Sequence, residues 1–444
     1  MEASGLLRRL TERGHQVEIL SGTEGTGAAS RLVRLDPGVS CRGLSPFLGS
    51  RWKRYLRRAP LRTLSYLTRS LKGEVTYRTK LALRRAWRQR LEIALLRPVA
   101  AILDGEKLGR WVERWLPADQ RARSLVEGLR PDVVVSHSAI YAGADAEILK
   151  IARRARIPTV LQFASFDTLT AKGGPLVRAD HVAVWGDASR AHAIERHGFR
   201  PEQVVVTGPP LMDMYGQDTK FRHWSYETGW WNVPYLVPGT RPILIAGTSL
   251  SYWSDEHRMV HRIADWAQER GLRVWYRPHP RHAKRNGPWP DHRAVTVDTS
   301  GLDAPPAHYR RLLEAATCVV TAFSTMVIEA ALMGKPSLIV AFGASTGGTE
   351  FWVSDQGVHS ASGRLVDHAG FEHMADVIGQ PGVRVCRSEA ELFDGLEKHT
   401  QHPMTISDVT QAWAARIAHC LDGQATARMI DLIERVAPVN HAAA

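Results

Sequence analysis

Short, continuously apolar segments alternate with helical segments in two separate runs of this chain, and that alternation limits the fold more than any other feature. In the first run Val133–Ser136 follows the turn signal Arg130-Pro131-Asp132, and a helix over Asp145–Ala155 and strands over Thr159–Phe163 and His181–Trp185 come next. A helix over Ser189–His197, stopped by Gly198, leads to a strand over Val204–Thr207 that ends at Gly208-Pro209-Pro210. The second run predicts strands at Ile243–Ala246, Arg273–Tyr276, Cys318–Thr321 and Ser337–Ala341, with helices at Asp255–Arg270, Tyr309–Ala316 and Thr325–Met333 between them. Strands apolar throughout are buried on both faces, and joined by helices they make parallel sheets covered on both sides. The sequence therefore predicts two doubly wound α/β domains, which suits a chain of 444 residues.

The rhythm stops between Met214 and Pro242, where Tyr215, Trp224, Tyr226, Trp230, Trp231 and Tyr235 gather with prolines, as in an interdomain linker. Residues 1–214 are then the first domain, 215–242 the linker and 243–404 the second domain. Residues 405–444 hold terminal helices at Ile406–His419 and Ala427–Val436, expected to cross back to the first domain. At the other end, Gly5–Arg13 reads as a helix stopped by Gly14, and Gln16–Leu20 as a strand ending in Ser21-Gly22. That is the later part of a Rossmann-like unit, so an apolar strand and glycine-rich turn are expected to be encoded upstream of Met1.

The first domain carries a basic insertion over residues 42–125, dense in Arg and Trp between Arg42 and Trp115. Leu81, Leu83, Trp87, Leu91 and Leu95 form a helical stripe there. Two readings stand side by side: a solvated basic face over an ordinary core stripe, or a surface that attaches to an anionic membrane. Nucleic acid ranks third, because no helix-turn-helix, zinc or RNA-binding signature accompanies the charge. The net charge of +13 favours phosphate- or carboxylate-bearing partners in general. Cys41, Cys318, Cys386 and Cys420 are far apart, with no metal-ligand spacing, and fit free thiols in a reducing cytoplasm. No segment has the apolar run of a signal peptide or a membrane span, so a cytoplasmic protein, peripheral on the inner face of the cell membrane, is expected.

Ligands of open parallel sheets bind beyond the carboxyl ends of the strands. Three loops of the second domain have suitable residues there. Gly247-Thr248-Ser249 offers close backbone approach, and Arg277-Pro278-His279-Pro280 directs a cation and an imidazole from a strand end. Phe323-Ser324-Thr325 opens a helix that carries Glu329. Ser324 has the simpler role of an N-cap open to it, and His279 that of a structural hydrogen-bonded residue. Hydroxyls beside free N–H groups at a helix start also make an anion site.

The block Val182-Ala183-Val184-Trp185-Gly186, His197-Gly198-Phe199 and Val204–Asp213 resembles the end of the N-terminal domain in bacterial surface-carbohydrate transferases. Arg277–Pro280, with Ser324-Thr325, Glu329-Ala330-Ala331 and Gly334-Lys335-Pro336, is similar to the donor site of capsule and lipopolysaccharide transferases and of CDP-glycerol glycerophosphotransferases. The resemblance spans roughly Pro131–Val340. It implies a GT-B fold, two Rossmann-like domains facing across a cleft, acting on a nucleotide-sugar donor and a glycan or lipid-linked acceptor. It further implies that His279, Ser324 and Thr325 contact donor phosphates with Arg277 as helper, alongside Gly247, Thr248 and Glu329, with no cofactor and no metal.

Departures from the family pattern keep other activities open. The Trp-His-Gly element of glycerophosphotransferases is replaced by Ala164-Ser165-Phe166-Asp167, which counts against that activity. A UDP-N-acetylglucosamine 2-epimerase shares the architecture but has glycines where Thr325-Met326 stand, and a non-catalytic scaffold is the remaining class. Glu329 has no acidic partner at the spacing of a retaining Glu-x7-Glu signature, which favours inversion. An inverting enzyme needs a base from the first domain, past a strand end; Asp167 and His137 are the candidates, each with a structural role as the alternative.

Overall fold

The computed structural model describes residues 5–21, 37–44, 51–82, 84, 86–137, 144–216, 241–248, 256–279, 289–300, 306–322, 324–342, 349–354, 357–362, 370–402 and 408–437. The aromatic linker residues Trp224–Tyr235, together with Ser249, Pro280 and Phe323, lie outside them. The chain divides into two compact units: Met1–Asp213 with Ala418–Cys420 and Gln424–Ala444, and Met214–Ile417 with Leu421–Gly423.

In the first unit β1 (Val17–Ser21) pairs in parallel with β2 (Val39–Gly43). A second parallel sheet runs in the order β3 (Val134–His137), β4 (Thr159–Gln162), β5 (His181–Val184) and β6 (Val204–Val206). Every residue of β4 is buried, the polar Thr159 and Gln162 at its ends as well as Val160 and Leu161 between them. One side of the sheet is covered by Leu149, Phe163, Leu169 and Phe199, with Val182 and Val184 from β5. The other side is covered by Leu6 and Leu10 of the helix Leu6–Glu12 and by Met429, Ile430, Leu432 and Ile433 of the helix Ala425–Val436. Asp213 fixes that last helix by accepting hydrogen bonds from the Ala425 and Thr426 N–H groups at 2.8 and 2.7 Å. The helix Asp408–Ile417 belongs instead to the second unit, so the two helices predicted for residues 405–444 part company.

Helices over Arg51–Leu71, Val75–Ala82, Trp87–Ile102, Gly105–Trp115 and Gln120–Leu129 build the insertion. Its interior is apolar, with Leu61, Leu64, Leu67, Tyr77 and Leu81 at the centre. The predicted stripe does not form: Leu81 is buried in one helix, whereas Trp87, Leu91 and Leu95 lie on another and are exposed, and Leu83 lies outside the described residues. Two of the basic residues are also not on a solvated face. Buried Arg58 donates to Glu113 and, at 2.6 Å, to Glu147, and Lys150 joins Glu113 at 2.8 Å. Glu147 and Lys150 lie on the helix Ala144–Arg154, so the network ties the insertion to the Rossmann-like part. Arg69 likewise holds Glu106, which His197 also meets at 3.2 Å. His197 and Arg69 hold the Glu106 carboxyl well below the usual carboxylate range against burial, and Arg58 and Lys150 lower that of Glu113.

The second unit has one six-stranded parallel sheet. Its strands are β7 (Ile243–Ala246), β8 (Val274–Arg277), β9 (Val295–Val297), β10 (Cys318–Thr321), β11 (Ser337–Val340) and, after a hairpin, β14 (Val383–Cys386). They run in the order β14-β11-β10-β7-β8-β9. The hairpin pairs β12 (Thr349–Ser354) with β13 (Gly357–Ser362). β9, β14 and the hairpin were not expected from the sequence. The helix Glu256–Glu269 presents Met259, Val260, Ile263, Ala264 and Ala267 to the sheet, a spacing of three and four that makes one buried face. Among the described residues no helix is long and apolar enough to cross a membrane.

Candidate functional site

Chain order reverses at β7: β8 and β9 extend the sheet on one side of it, β10 and β11 on the other. Such a reversal opens a crevice at the carboxyl edge, and β10, β7 and β8 are adjacent there. Of the seven donor-site residues predicted for this unit, Arg277 ends β8 and the other six lie on the loops or helix that follow these three strands.

Gly247 follows β7, and its N–H donates to the Arg277 carbonyl at 2.7 Å. A Cβ placed on it would come within 2.5 Å of Glu256 Oε1 and 2.9 Å of the His279 backbone nitrogen, so no larger residue fits without displacing backbone. Small size here is a packing requirement, and it brings the loops after β7 and β8 together. Thr248 is buried; its N–H donates to Glu256 Oε2 at 2.7 Å, while its hydroxyl has no hydrogen-bond partner.

Arg277 ends β8. Its guanidinium carbon sits 3.7 Å from the centroid of the Tyr309 ring, Nη1 lies 3.6 Å from Met326 Sδ, and Nε is 3.9 Å from Asp298 Oδ2. Nε, buried, makes no hydrogen bond among the described residues. Asp298, in turn, contacts His308 at 2.9 Å and accepts from Ser300, which together outweigh burial and hold its carboxyl at about 2. The arrangement fixes the orientation of a cation while leaving hydrogen-bonding capacity on it, as an anion site needs. His279 follows two residues later and is half-buried.

Beyond β10, the N-cap position of the helix Met326–Leu332 is taken by Thr325, and Ser324, one residue earlier, accepts from the Met326 N–H through Oγ at 3.2 Å. The Thr325 hydroxyl donates to Glu329 Oε1 at 3.3 Å, and Tyr215 donates to Glu329 Oε2. Glu329 thus anchors the start of the helix Met326–Leu332 to Tyr215 within this unit.

Glu256 is the residue that sequence reasoning missed. It begins the helix Glu256–Glu269, has no solvent exposure, and accepts from Tyr276 Oη at 2.5 Å as well as from Thr248. Burial pushes its carboxyl up to about 7 despite those two donors. An acid at a helix start reads as an ordinary dipole partner, and only the packing under Gly247 distinguishes this one. Tyr309 and Asp298, which frame Arg277, also had no sequence signal.

Asp167 and His137, the candidate bases, belong to the first unit. His137 ends β3, directly beside Gln162 at the end of β4, and its Nδ1 lies 3.3 Å from Gln162 Oε1. Desolvation lowers its pKa below the ordinary histidine value, with the Lys172 charge adding to the effect and the Gln162 contact opposing it. Asp167 precedes the short helix Thr168–Ala171; its carbonyl accepts from Ala171 at 2.7 Å, and its carboxylate is 3.9 Å from Lys172 Nζ. The turn role open to Asp167 is thus filled by its backbone.

No family model and no curated protein matches the chain. Solved structures do. The glycotransferase of kitacinnamycin superposes with a TM-score of 0.50 at 13% identity, over 98% of this chain and 95% of that one. A glycosyltransferase from Rickettsia africae covers 99% of this chain and 95% of its own at 10% identity and a TM-score of 0.45. The UDP-GlcNAc 2-epimerase of Methanocaldococcus jannaschii covers 74% and 81% at 11% identity and a TM-score of 0.45. At such identities the likeness to the first of these concerns the fold, and the fold is GT-B.

Proposed function

We propose, taking the GT-B fold as the premise, that the protein is a glycosyltransferase and that its second unit holds the phosphates of a nucleotide-sugar donor at the carboxyl edge of β10, β7 and β8. The observation that carries this reading is the Arg277 guanidinium, fixed by Tyr309, Asp298 and Met326 at the point where strand order reverses, with a buried Nε lacking a hydrogen bond. Gly247 lets the loops after β7 and β8 close on one another beside it, and among the described residues the buried Thr248 hydroxyl is a second unsatisfied donor. His279 and the Ser324-Thr325 pair supply further phosphate contacts in this proposal. Transfer is preferred to isomerisation because Thr325-Met326 stand where the epimerases have glycines.

Departure of a nucleoside diphosphate leaves negative charge on phosphate oxygens, and cations and N–H dipoles already in place stabilise it without reorganisation. Inversion requires a base to deprotonate the acceptor hydroxyl, a role assigned here to Asp167 or His137. The acceptor is a glycan or lipid-linked glycan. Calorimetric titration with uridine, cytidine, guanosine and thymidine diphosphates tests the donor site. One nucleotide should bind, and should lose affinity on Arg277→Ala. Binding of none, or binding indifferent to that change, contradicts the site. Sugar interconversion without any acceptor would contradict transfer.

A further inference from the structure

The helix Trp87–Ile102 is apolar on two sides. Its inner side places Ile93, Leu96 and Val99 against the core of the insertion. Its other side leaves Trp87, Leu91, Leu95 and Ile102 exposed, at 69%, 51%, 67% and 83% of their full surface. Successive separations of four, four and seven residues keep these four on one helical face. The next helix, Gly105–Trp115, follows after two residues and repeats the pattern. Gly105 packs so closely on the helix Arg51–Leu71 that a Cβ would fall 2.6 Å from the Leu64 carbonyl oxygen, while Trp111 and Trp115, one turn apart, are 61% and 70% exposed. Most of the large apolar side chains that the described residues leave exposed lie on this stretch. Grouped exposed tryptophans and leucines mark an interaction surface rather than ordinary scatter.

Charge identifies the partner. The acids of the second helix are turned inward: Glu106 is buried against Arg69, and Glu113 against Arg58 and Lys150. On the first helix Glu92 is only partly exposed. The exposed charges of the two helices are Arg88, Arg90, Arg97, Lys107 and Arg114, all positive. A protein partner would need a matching apolar and acidic surface. A bilayer of anionic lipid supplies both properties together, since indole rings prefer the headgroup boundary and basic side chains meet lipid phosphates.

We infer that the exposed apolar side chains of these two helices, Trp87, Leu91, Leu95 and Ile102 on one and Trp111 and Trp115 on the other, dock onto an anionic lipid bilayer. This inference is independent of the donor site. It goes beyond the overall basic charge, because it assigns the contact to two helices and requires their apolar side chains as well as their cations.

The test is co-sedimentation of the full chain with vesicles of phosphatidylglycerol and phosphatidylcholine in equal parts, and with vesicles of phosphatidylcholine alone. Thermal melting of each variant confirms that it folds. The protein should pellet with the anionic vesicles and be released by salt. The double variant Trp111→Gln, Trp115→Gln and the double variant Arg88→Glu, Arg90→Glu should each weaken that binding by on the order of tenfold or more. Binding to neither vesicle overturns the inference, as does anionic binding that both variants retain. Sedimentation of the free protein as a dimer that Trp111→Gln, Trp115→Gln makes monomeric, with no vesicle binding, would show the face to be a contact between copies and also overturns it.

Discussion

Arg277 and Tyr309 are stacked, with the guanidinium carbon 3.7 Å from the ring centroid. A stacked guanidinium keeps its edge N–H groups free for planar, two-point contact with phosphate oxygens, which an ammonium cannot reproduce. Arg277→Lys should therefore lose most of the nucleotide affinity that Arg277→Ala loses, on the order of 2 kcal/mol. Tyr309→Leu should lose roughly half as much, because the cation remains but its orientation does not. Calorimetry on the three variants checks the order.

His279→Ala should weaken nucleotide binding by about 1 to 3 kcal/mol, the scale of one hydrogen bond to a charged group. Its melting temperature should stay that of the unaltered protein. A fall in melting temperature with unchanged affinity would return His279 to a structural role.

Glu256 gives the site a pH dependence of defined sign. Unfolded, its carboxyl titrates near the ordinary value of 4.5; folded, burial holds the proton until about 7. The stability associated with the protonated form is complete below the unfolded value and is lost as pH rises through about 7. Glu256→Gln keeps an acceptor for Thr248 and carries no charge, so it should melt higher than the unaltered protein above neutral pH and should flatten the decline. Nucleotide affinity should fall over the same range, because a carboxylate beneath Gly247 repels phosphate, and Glu256→Gln should remove that fall. Parallel melting and binding curves from about pH 5 to about pH 8 decide both points.

The C-terminal helix depends on two residues distant in sequence. Asp213→Ala removes both carboxylate contacts to the Ala425 and Thr426 N–H groups and should cost about 1 to 2 kcal/mol in denaturant unfolding. Gly208→Ala should cost more. Gly208 has φ of +78°, and a Cβ there would lie 2.0 Å from the His419 carbonyl oxygen.

If the acceptor is deprotonated by a carboxylate, Asp167→Asn should lower kcat by roughly 100-fold or more with donor binding nearly constant. His137→Ala should then have the smaller effect. Full activity in the first variant and none in the second, with the donor still bound, assigns the base to His137.

Central strands were legible because Ile243–Ala246 and Cys318-Val319-Val320 are apolar without interruption, a pattern that burial on both faces favours. β14 was not, because Val383-Arg384-Val385-Cys386 is an edge strand with a cation in its middle, and β9 has only three residues. The loops after β7 and β8 were found from Gly247, Arg277 and His279, whose types announce ligand approach. Glu256 escaped, since burial is a property of packing and its position at a helix start has a commonplace explanation. Trp87, Leu91 and Leu95 show the limit of periodicity: it finds an apolar face but does not say whether that face meets the core or the outside.

The return of the helix Ala425–Val436 to the first unit makes the whole second unit, in chain order, an insertion. Leu6, Leu10, Val160 and Ala183 acquire their cover from Met429, Ile430 and Ile433 only after the intervening residues have been synthesised. A ribosome-bound chain would therefore finish its second unit first, holding the earlier one open with an apolar sheet face exposed. Chaperone demand should be greatest in that interval, and a nonsense mutation after Gly423 should expose the sheet of a unit whose own strands are all intact.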